Sequence, residues 1–229
     1  VVRINSWDSN SNYPNGFYVR TLGPIGDLNV ETEGLLIENG LDQVFKFSSQ
    51  ALKELPTHTD ENPYTISSKE ISLRRDIRKT HMVTSIDPIG CEDIDDALSV
   101  RFLPNSNVEI GVHIADVSHY VKHESNLDME ARARSTTIYM VDRRLDMLPA
   151  LLSSDLCSLR MGVDRLAVSV FWEFKRTGEV VNTWYGRTVI RSRYALHYAQ
   201  AQNIINGVEA PPVPPTPGVN WEEAVIAEE

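Results

Sequence analysis

Four aspartates fall within ten residues of the segment Ser85-Ile86-Asp87-Pro88-Ile89-Gly90-Cys91-Glu92-Asp93-Ile94-Asp95-Asp96-Ala97-Leu98, at successive spacings of six, two and one. Carboxylates held this close repel one another, and some of their pKa values must rise. A divalent cation relieves that repulsion, and hard oxygen ligands suit Mg²⁺ or Mn²⁺. Such a site activates water and stabilises both oxygens of an in-line phosphoryl displacement. Three other readings compete. A solvated acidic turn rarely carries apolar neighbours on both sides, as Ile86, Ile94, Ala97 and Leu98 do here. A calcium loop of the EF-hand type needs Gly at its sixth position and Glu at its twelfth, and both are missing. A helix-capping role explains one aspartate but not four.

The elements around this cluster must hold it. Ala97–Leu103 and Val108–Ala115 are strand-like and joined by Pro104-Asn105-Ser106-Asn107, a hairpin signal. Asn126–Arg134 has helical spacing, Thr136–Val141 is strand-like, and Leu148–Leu159 reads as a helix. Asp164–Phe174 and Val180–Ser192 form long strands around a Thr177-Gly178 turn, and Tyr194–Asn206 reads as a helix. Upstream, Val1–Ile4 and Gly16–Leu22 are β-like. Glu31–Asn39 and Ser49–Leu55 are short helices, the second opened by a serine cap. His58–Ser68 is a polar linker containing Pro63, and Lys69–His81 reads as a basic helix with a solvated face. Strands and helices mix without strict alternation, so the fold class is α+β rather than a doubly wound sheet. From Gly207 the chain is proline-rich and acidic, which predicts an extended, mobile tail.

The chain has 229 residues, 41% hydrophobic and 24% charged, which excludes collagen, coiled coil and wholesale disorder. No run of 18 apolar residues occurs, so no membrane partner is expected. Its start lacks Met and an apolar leader core, so it reads as the interior of a longer chain. Two cysteines, Cys91 and Cys157, are too few for a disulfide scaffold and point to a reducing compartment. Net charge is −10, which at first sight disfavours a polyphosphate partner. The acidity is local, however. Residues 27–61 carry −6 and residues 208–229 carry −5, whereas residues 62–207 hold 18 acidic and 18 basic side chains. A cation on the aspartate strip would make it electropositive toward phosphate.

The string S-I-D-P-x-G-C-x-D-I-D-D-A-L resembles the active-site signature of the ribonuclease II / ribonuclease R family, whose catalytic module is the RNB domain. The likeness continues through GVHIADVSHYV, LDMEARARSTTIYMVDRRLDMLP, LLSSDLCSL and VDRLAVSVFWE. Within the family the chain is most similar to the eukaryotic exosome-associated Dis-three branch. Its GCED variant and NTWYGRTVIRS stretch resemble the cytoplasmic Dis-three-like paralogue more than the mainly nuclear enzyme.

The resemblance implies a partial RNB domain over residues 69–229, preceded over residues 1–68 by the end of a cold-shock-like OB barrel and connecting helices. It implies processive 3′-to-5′ hydrolysis of single-stranded RNA to nucleoside 5′-monophosphates. It implies association with the exosome core subunits and cytoplasmic residence, with nuclear residence as the alternative. Asp87, Asp93, Asp95 and Asp96 match the four active-site aspartates and would hold Mg²⁺ or Mn²⁺ directly or through water. Asp95 matches the one most critical for chemistry. Tyr139 matches an aromatic that stacks on an RNA base. Arg143 and Arg144, and beyond them Arg132 and Arg134, are candidates for phosphate contacts, and Ser135, Thr136 and Thr137 for ribose hydroxyls. His113, His119 and both cysteines are expected to be structural. A rival reading treats the chain as an inactive RNA- or exosome-binding fragment.

Overall fold

The computed structural model describes residues 1–41 and 46–208, which fall into two compact units, Val1–Phe47 and the chain from Ser48 onward. In the first unit, β1 (Val2–Ser6) and β2 (Asn15–Tyr18) pair antiparallel, and α1 (Leu28–Glu38) follows. Asp27 caps α1 by accepting from the amides of Asn29 and Val30, which satisfies two of the free donors at the helix start.

The second unit is built on a seven-stranded sheet. Its strands are β3 (Arg75–Asp76), β4 (Met82–Asp87), β5 (Asp96–Phe102), β6 (Val108–Ala115), β9 (Asp164–Phe174), β10 (Val180–Arg191) and β11 (Tyr194–His197). Their order across the sheet is β11-β4-β5-β6-β9-β10-β3; the β11–β4 and β10–β3 pairs are parallel and the rest antiparallel. The β5–β6 hairpin closes where expected, with Ser106 at φ 65 and the Leu103 amide bonded to Asn107. The β9–β10 turn places Gly178 at φ 86, a left-handed conformation that glycine adopts without strain. Alternation decides the faces. Val83, Ala97, Ser99, His113, Ser169 and Phe171 are buried on one face, whereas Leu98, Val100, Ile110, Ile114 and Val168 are exposed on the other.

The unit also holds small elements: α2 (Ser49–Leu52), α3 (Ser68–Ser72), α4 (Val117–Tyr120), α5 (Asn126–Arg134) and a ribbon of β7 (Ile138–Tyr139) with β8 (Arg144–Leu145). A π-helical turn spans Leu151–Leu156, and α6 (Tyr198–Ile205) ends the described chain. Helices α2 and α5 anchor one another. Glu54 accepts from the Asn126 and Leu127 amides, and Glu130 accepts from the Ser48 amide.

The sequence expectation for Lys69–His81 is corrected. The helix stops at Ser72 and the chain turns into β3, because Arg74, Arg75 and Arg78 each reach an acid far along the chain (Asp116, Glu109 and Asp164). Arg74 is buried rather than solvated. Tyr194–Asn206 is also corrected, since Tyr194–His197 pairs with β4 as a strand before the helix begins. The strand expected over Thr136–Val141 shrinks to two residues, and the Leu148–Leu159 helix to one π turn. The proline-rich tail lies outside the described residues from residue 209 on.

Candidate active site

The aspartates sit where β4 ends and β5 begins. Asp87 is the last residue of β4. Pro88 to Cys91 then make a tight turn, with the Cys91 amide bonded to the Pro88 carbonyl and Gly90 at φ 81. Past the turn, Ile94 is driven into the core at 6% exposure, so Asp93 and Asp95 on either side are turned the other way. Ser158 fixes this loop twice: its hydroxyl donates to the Glu92 carbonyl at 2.7 Å and accepts from the Ile94 amide at 3.1 Å. The Leu159 amide adds a bond to the Ile94 carbonyl. Asp96 opens β5 opposite Ile114, and one rung further the Ala115 amide bonds the Asp95 carbonyl at 2.9 Å.

Asp93 and Asp95 line a cleft of about 460 Å³ with Ser135, Thr136, Thr137 and Tyr139. The β7–β8 ribbon closes one side by placing Tyr139 opposite Arg144. Both grip Asp93. The Tyr139 hydroxyl donates to Oδ2 at 2.7 Å, and Arg144 Nη1 donates to Oδ1 at 2.8 Å. Arg144 is itself held by an ion pair from Nε to Asp146 at 2.8 Å and by a hydrogen bond to Ser154 Oγ. Tyr139 as a whole stays 69% exposed. Arg143 pairs with its neighbour Asp142 at 2.6 Å. Arg132 pairs with Asp128, and Arg134 donates to the Asp146 carbonyl.

Electrostatics follow from this crowding. Burial raises the Asp95 pKa above the usual carboxylate range, and the charges of Asp93, Asp96 and Asp87 raise it further. The bond to Asp93, followed by burial, pushes the Tyr139 hydroxyl up to about 12. Burial and then the Asp87 and Asp93 charges push the Cys91 thiol up to about 11, so it stays protonated at neutral pH.

The structure does not bring the four aspartates to one point. Asp87 lines a separate hollow of about 210 Å³ with Ser85, Gly90 and His197. Among the described residues, no three His, Cys, Asp or Glu side chains gather closely enough to hold a metal ion. The donor chemistry nevertheless fits a hard cation. All four groups are carboxylates, and Asp87 Oδ2 is buried without a hydrogen-bond partner among the described residues. Mg²⁺ keeps several waters and takes one or two carboxylates, so a full protein cage is not required.

His113 is a fully buried member of a polar network, with Nδ1 bonded to Ser169 at 2.7 Å and Nε2 to Ser99 at 2.9 Å. His119 bonds Tyr64. Cys157 is buried and free. Sequence reasoning missed Ser158, Asp146 and Ser154, which hold the Asp93 loop and Arg144. Their presence in the LDMLP and LLSSDLCSL strings was the available signal.

The RNB domain family matches residues 74–224, and the Dis3-like cold-shock domain 2 (CSD2) matches residues 1–40. The chain belongs to the RNB family. The exosome complex exonuclease RRP44 homolog A of Arabidopsis thaliana is 49% identical over 204 residues, 88% of this chain and 21% of that protein. The exosome complex exonuclease RRP44 of Homo sapiens is 46% identical over 88% of this chain and 20% of its own length. The DIS3-like exonuclease 2 of Schizosaccharomyces pombe is 45% identical over 98% of this chain and 22% of its own length. This RNB chain therefore spans about a fifth of the curated relatives it matches. Both kinds of Dis3 relative align at similar identity. In fold, it is similar to Mycoplasma genitalium RNase R in complex with ribose methylated single-stranded RNA (TM-score 0.75, 23% identity, 99% of this chain and 33% of that one). It is also similar to yeast Ssd1, a pseudonuclease (TM-score 0.72, 24% identity, 91% of this chain and 26% of that one). The α+β reading and the cold-shock remnant ahead of an RNB domain both agree with these matches.

Proposed function

We propose that this chain carries part of the catalytic centre of a 3′-to-5′ exoribonuclease that hydrolyses single-stranded RNA to nucleoside 5′-monophosphates. The observation that carries the reading is the cleft itself, in which Asp93 and Asp95 face an exposed Tyr139 and a row of hydroxyls. Relatives named as exonucleases support it.

The Tyr139 ring offers a stacking face for the base next to the scissile bond, which tolerates any sequence because every base has a π face. Asp93 orients that ring through the tyrosine hydroxyl and holds Arg144 beside the phosphate path. Ser135, Thr136 and Thr137 offer hydroxyls to the ribose 2′-OH, the group that separates RNA from DNA. Asp95 lies on the cleft wall, where it can position the attacking water. The water oxygen bonds to phosphorus while the bond to the 3′-oxygen of the preceding nucleotide breaks. That oxygen leaves with a proton, and the 5′-phosphate stays on the released nucleotide. Asp87, Asp93, Asp95 and Asp96 are the residues that would hold Mg²⁺ or Mn²⁺. A bound ion supplies charge neutralisation at the phosphate and a more acidic water. As in its relatives' names, the setting would be the exosome or a Dis3-like activity beside it, and the cytoplasm is the compartment proposed.

The test is digestion of 5′-labelled single-stranded RNA by the full-length protein with Mg²⁺. Progressive shortening from the 3′ end with 5′-mononucleotides as product, abolished by chelator and by a 3′ block, is expected. Internal fragments, or no products at all, would contradict the reading. A second reading rests on the chain's length, a fifth of its relatives. Residues 1–229 alone would then bind RNA without cleaving it.

A further inference from the structure

A buried ion pair stands behind the cleft wall. Arg74 and Asp116 both have fully buried side chains, and Arg74 Nη2 donates to Asp116 Oδ2 at 2.6 Å. Arg74 Nε is held by Glu70 at 2.7 Å, and the second Asp116 oxygen accepts from the Ser118 hydroxyl at 2.6 Å. Taking two charges out of water is costly, and such a pair contributes little net stability compared with well-packed apolar residues. Its position suggests another use. Asp116 is the residue after the end of β6, and its amide bonds the Leu166 carbonyl of β9 at 3.0 Å. Arg74 Nη1 reaches the next carbonyl of β9, Ala167, at 3.4 Å. The same guanidinium thus ties the residue that follows β6 to the backbone of β9.

The residue just before Asp116 is Ala115, whose amide holds the Asp95 carbonyl, and both Ala115 and Val117 line the cleft with Asp95. Two contacts on adjacent residues are thus joined by the backbone: the Arg74–Asp116 ion pair, and the Ala115 amide on the Asp95 carbonyl. We infer that Arg74 and Asp116 are positioning residues, which set the place of the Asp95 carboxylate in the cleft by fixing the end of β6. The inference rests on the exoribonuclease reading above. Neither side chain reaches the cleft surface, so neither would touch RNA.

The experiment compares Arg74→Met/Asp116→Leu and Asp116→Asn with wild type in the full-length protein. It reads melting temperature, affinity for single-stranded RNA, kcat for nucleotide release, and hydrogen exchange at the Ala115 amide. A displacement of about 1 Å at a reacting group costs about a hundredfold in rate. The expected result is a fall in kcat of that order, with RNA affinity near wild type and faster exchange at Ala115. The double variant melts near wild type. Asp116→Asn, which leaves the buried Arg74 without its carboxylate, melts lower and is assayed below its transition. A folded double variant with wild-type kcat overturns the inference. If the double variant does not fold, Asp116→Asn decides. It keeps the shape of the side chain, so wild-type kcat and Ala115 protection there overturn the inference equally. Should wild type itself release no nucleotide, the exoribonuclease reading fails, and unchanged Ala115 exchange in the variants would separately show that the pair does not fix Asp95.

Discussion

The middle of the large sheet and its aspartate end treat polar groups in opposite ways. In the middle, Ser99, His113, Ser169 and Thr188 sit on four neighbouring strands and satisfy one another in an unbroken chain of hydrogen bonds from 2.6 to 2.9 Å. Thr188 completes it by donating to the Ala167 carbonyl. At the aspartate end, Ser85 Oγ, Asp87 Oδ2 and Ser153 Oγ are buried without partners among the described residues, and Asp95 is crowded by three like charges. Unpaired buried polar atoms cost free energy. The first region is therefore arranged for rigidity, and the second holds capacity that a ligand can use.

The comparison breaks if the central network does not prefer a neutral histidine. Burial, together with the charges of His81 and Arg75, depresses the His113 pKa to about 4. Because the folded value lies below the ordinary 6.5, the fold favours the neutral ring. Its contribution is complete above pH 6.5 and is lost as pH falls from there toward 4, by about 3 kcal/mol. Urea unfolding of wild type and His113→Gln across that window measures it, and the wild type should lose more stability on acidification than the variant. An equal loss in both would contradict the network's role.

Packing around the same ring gives the next largest effect. A Cβ on Gly111 would lie 2.5 Å from Ser99 Oγ, 2.8 Å from Phe171 and 2.9 Å from His113. Gly111→Ala should destabilise by about 2 kcal/mol through this overpacking. Calorimetric unfolding reads the change, and a wild-type transition would show the centre to be looser than described.

The smallest effect belongs to the cleft. Tyr139→Ala should weaken single-stranded RNA binding by about 1–2 kcal/mol through lost stacking, with stability unchanged. Tyr139→Phe keeps the ring but loses the bond to Asp93, so it should bind RNA better than the alanine variant. Equal affinities in a fluorescence titration would mean that stacking is not the ring's contribution.

The sheet was largely legible because hairpin turns and alternating apolar residues are local signals. The β5–β6 and β9–β10 pairs follow from Asn105-Ser106-Asn107 and Thr177-Gly178. Parallel pairing leaves no such trace. Tyr194–His197 becomes a strand only because β4, more than 100 residues earlier, presents an open edge. The run from Arg74 to Arg78 reads as a solvated helix face because only its local partners, Glu70 and Asp76, are visible in sequence, whereas Glu109, Asp116 and Asp164 lie 34 to 86 residues away. The aspartates were legible as a cluster from spacing alone. The placing of Asp93 and Asp95 in one hollow and Asp87 in another was not, since it depends on Ile94 turning inward and on a ribbon some 50 residues downstream.

On the proposed reading Asp95 serves the chemical step, while Tyr139 and the hydroxyls of the same cleft carry the RNA contacts. Asp95→Asn in the full-length protein, assayed for mononucleotide release and for RNA affinity in parallel, tests it most directly. A loss of at least about a hundredfold in turnover, with affinity within about twofold of wild type, is predicted. Undiminished turnover would contradict the account.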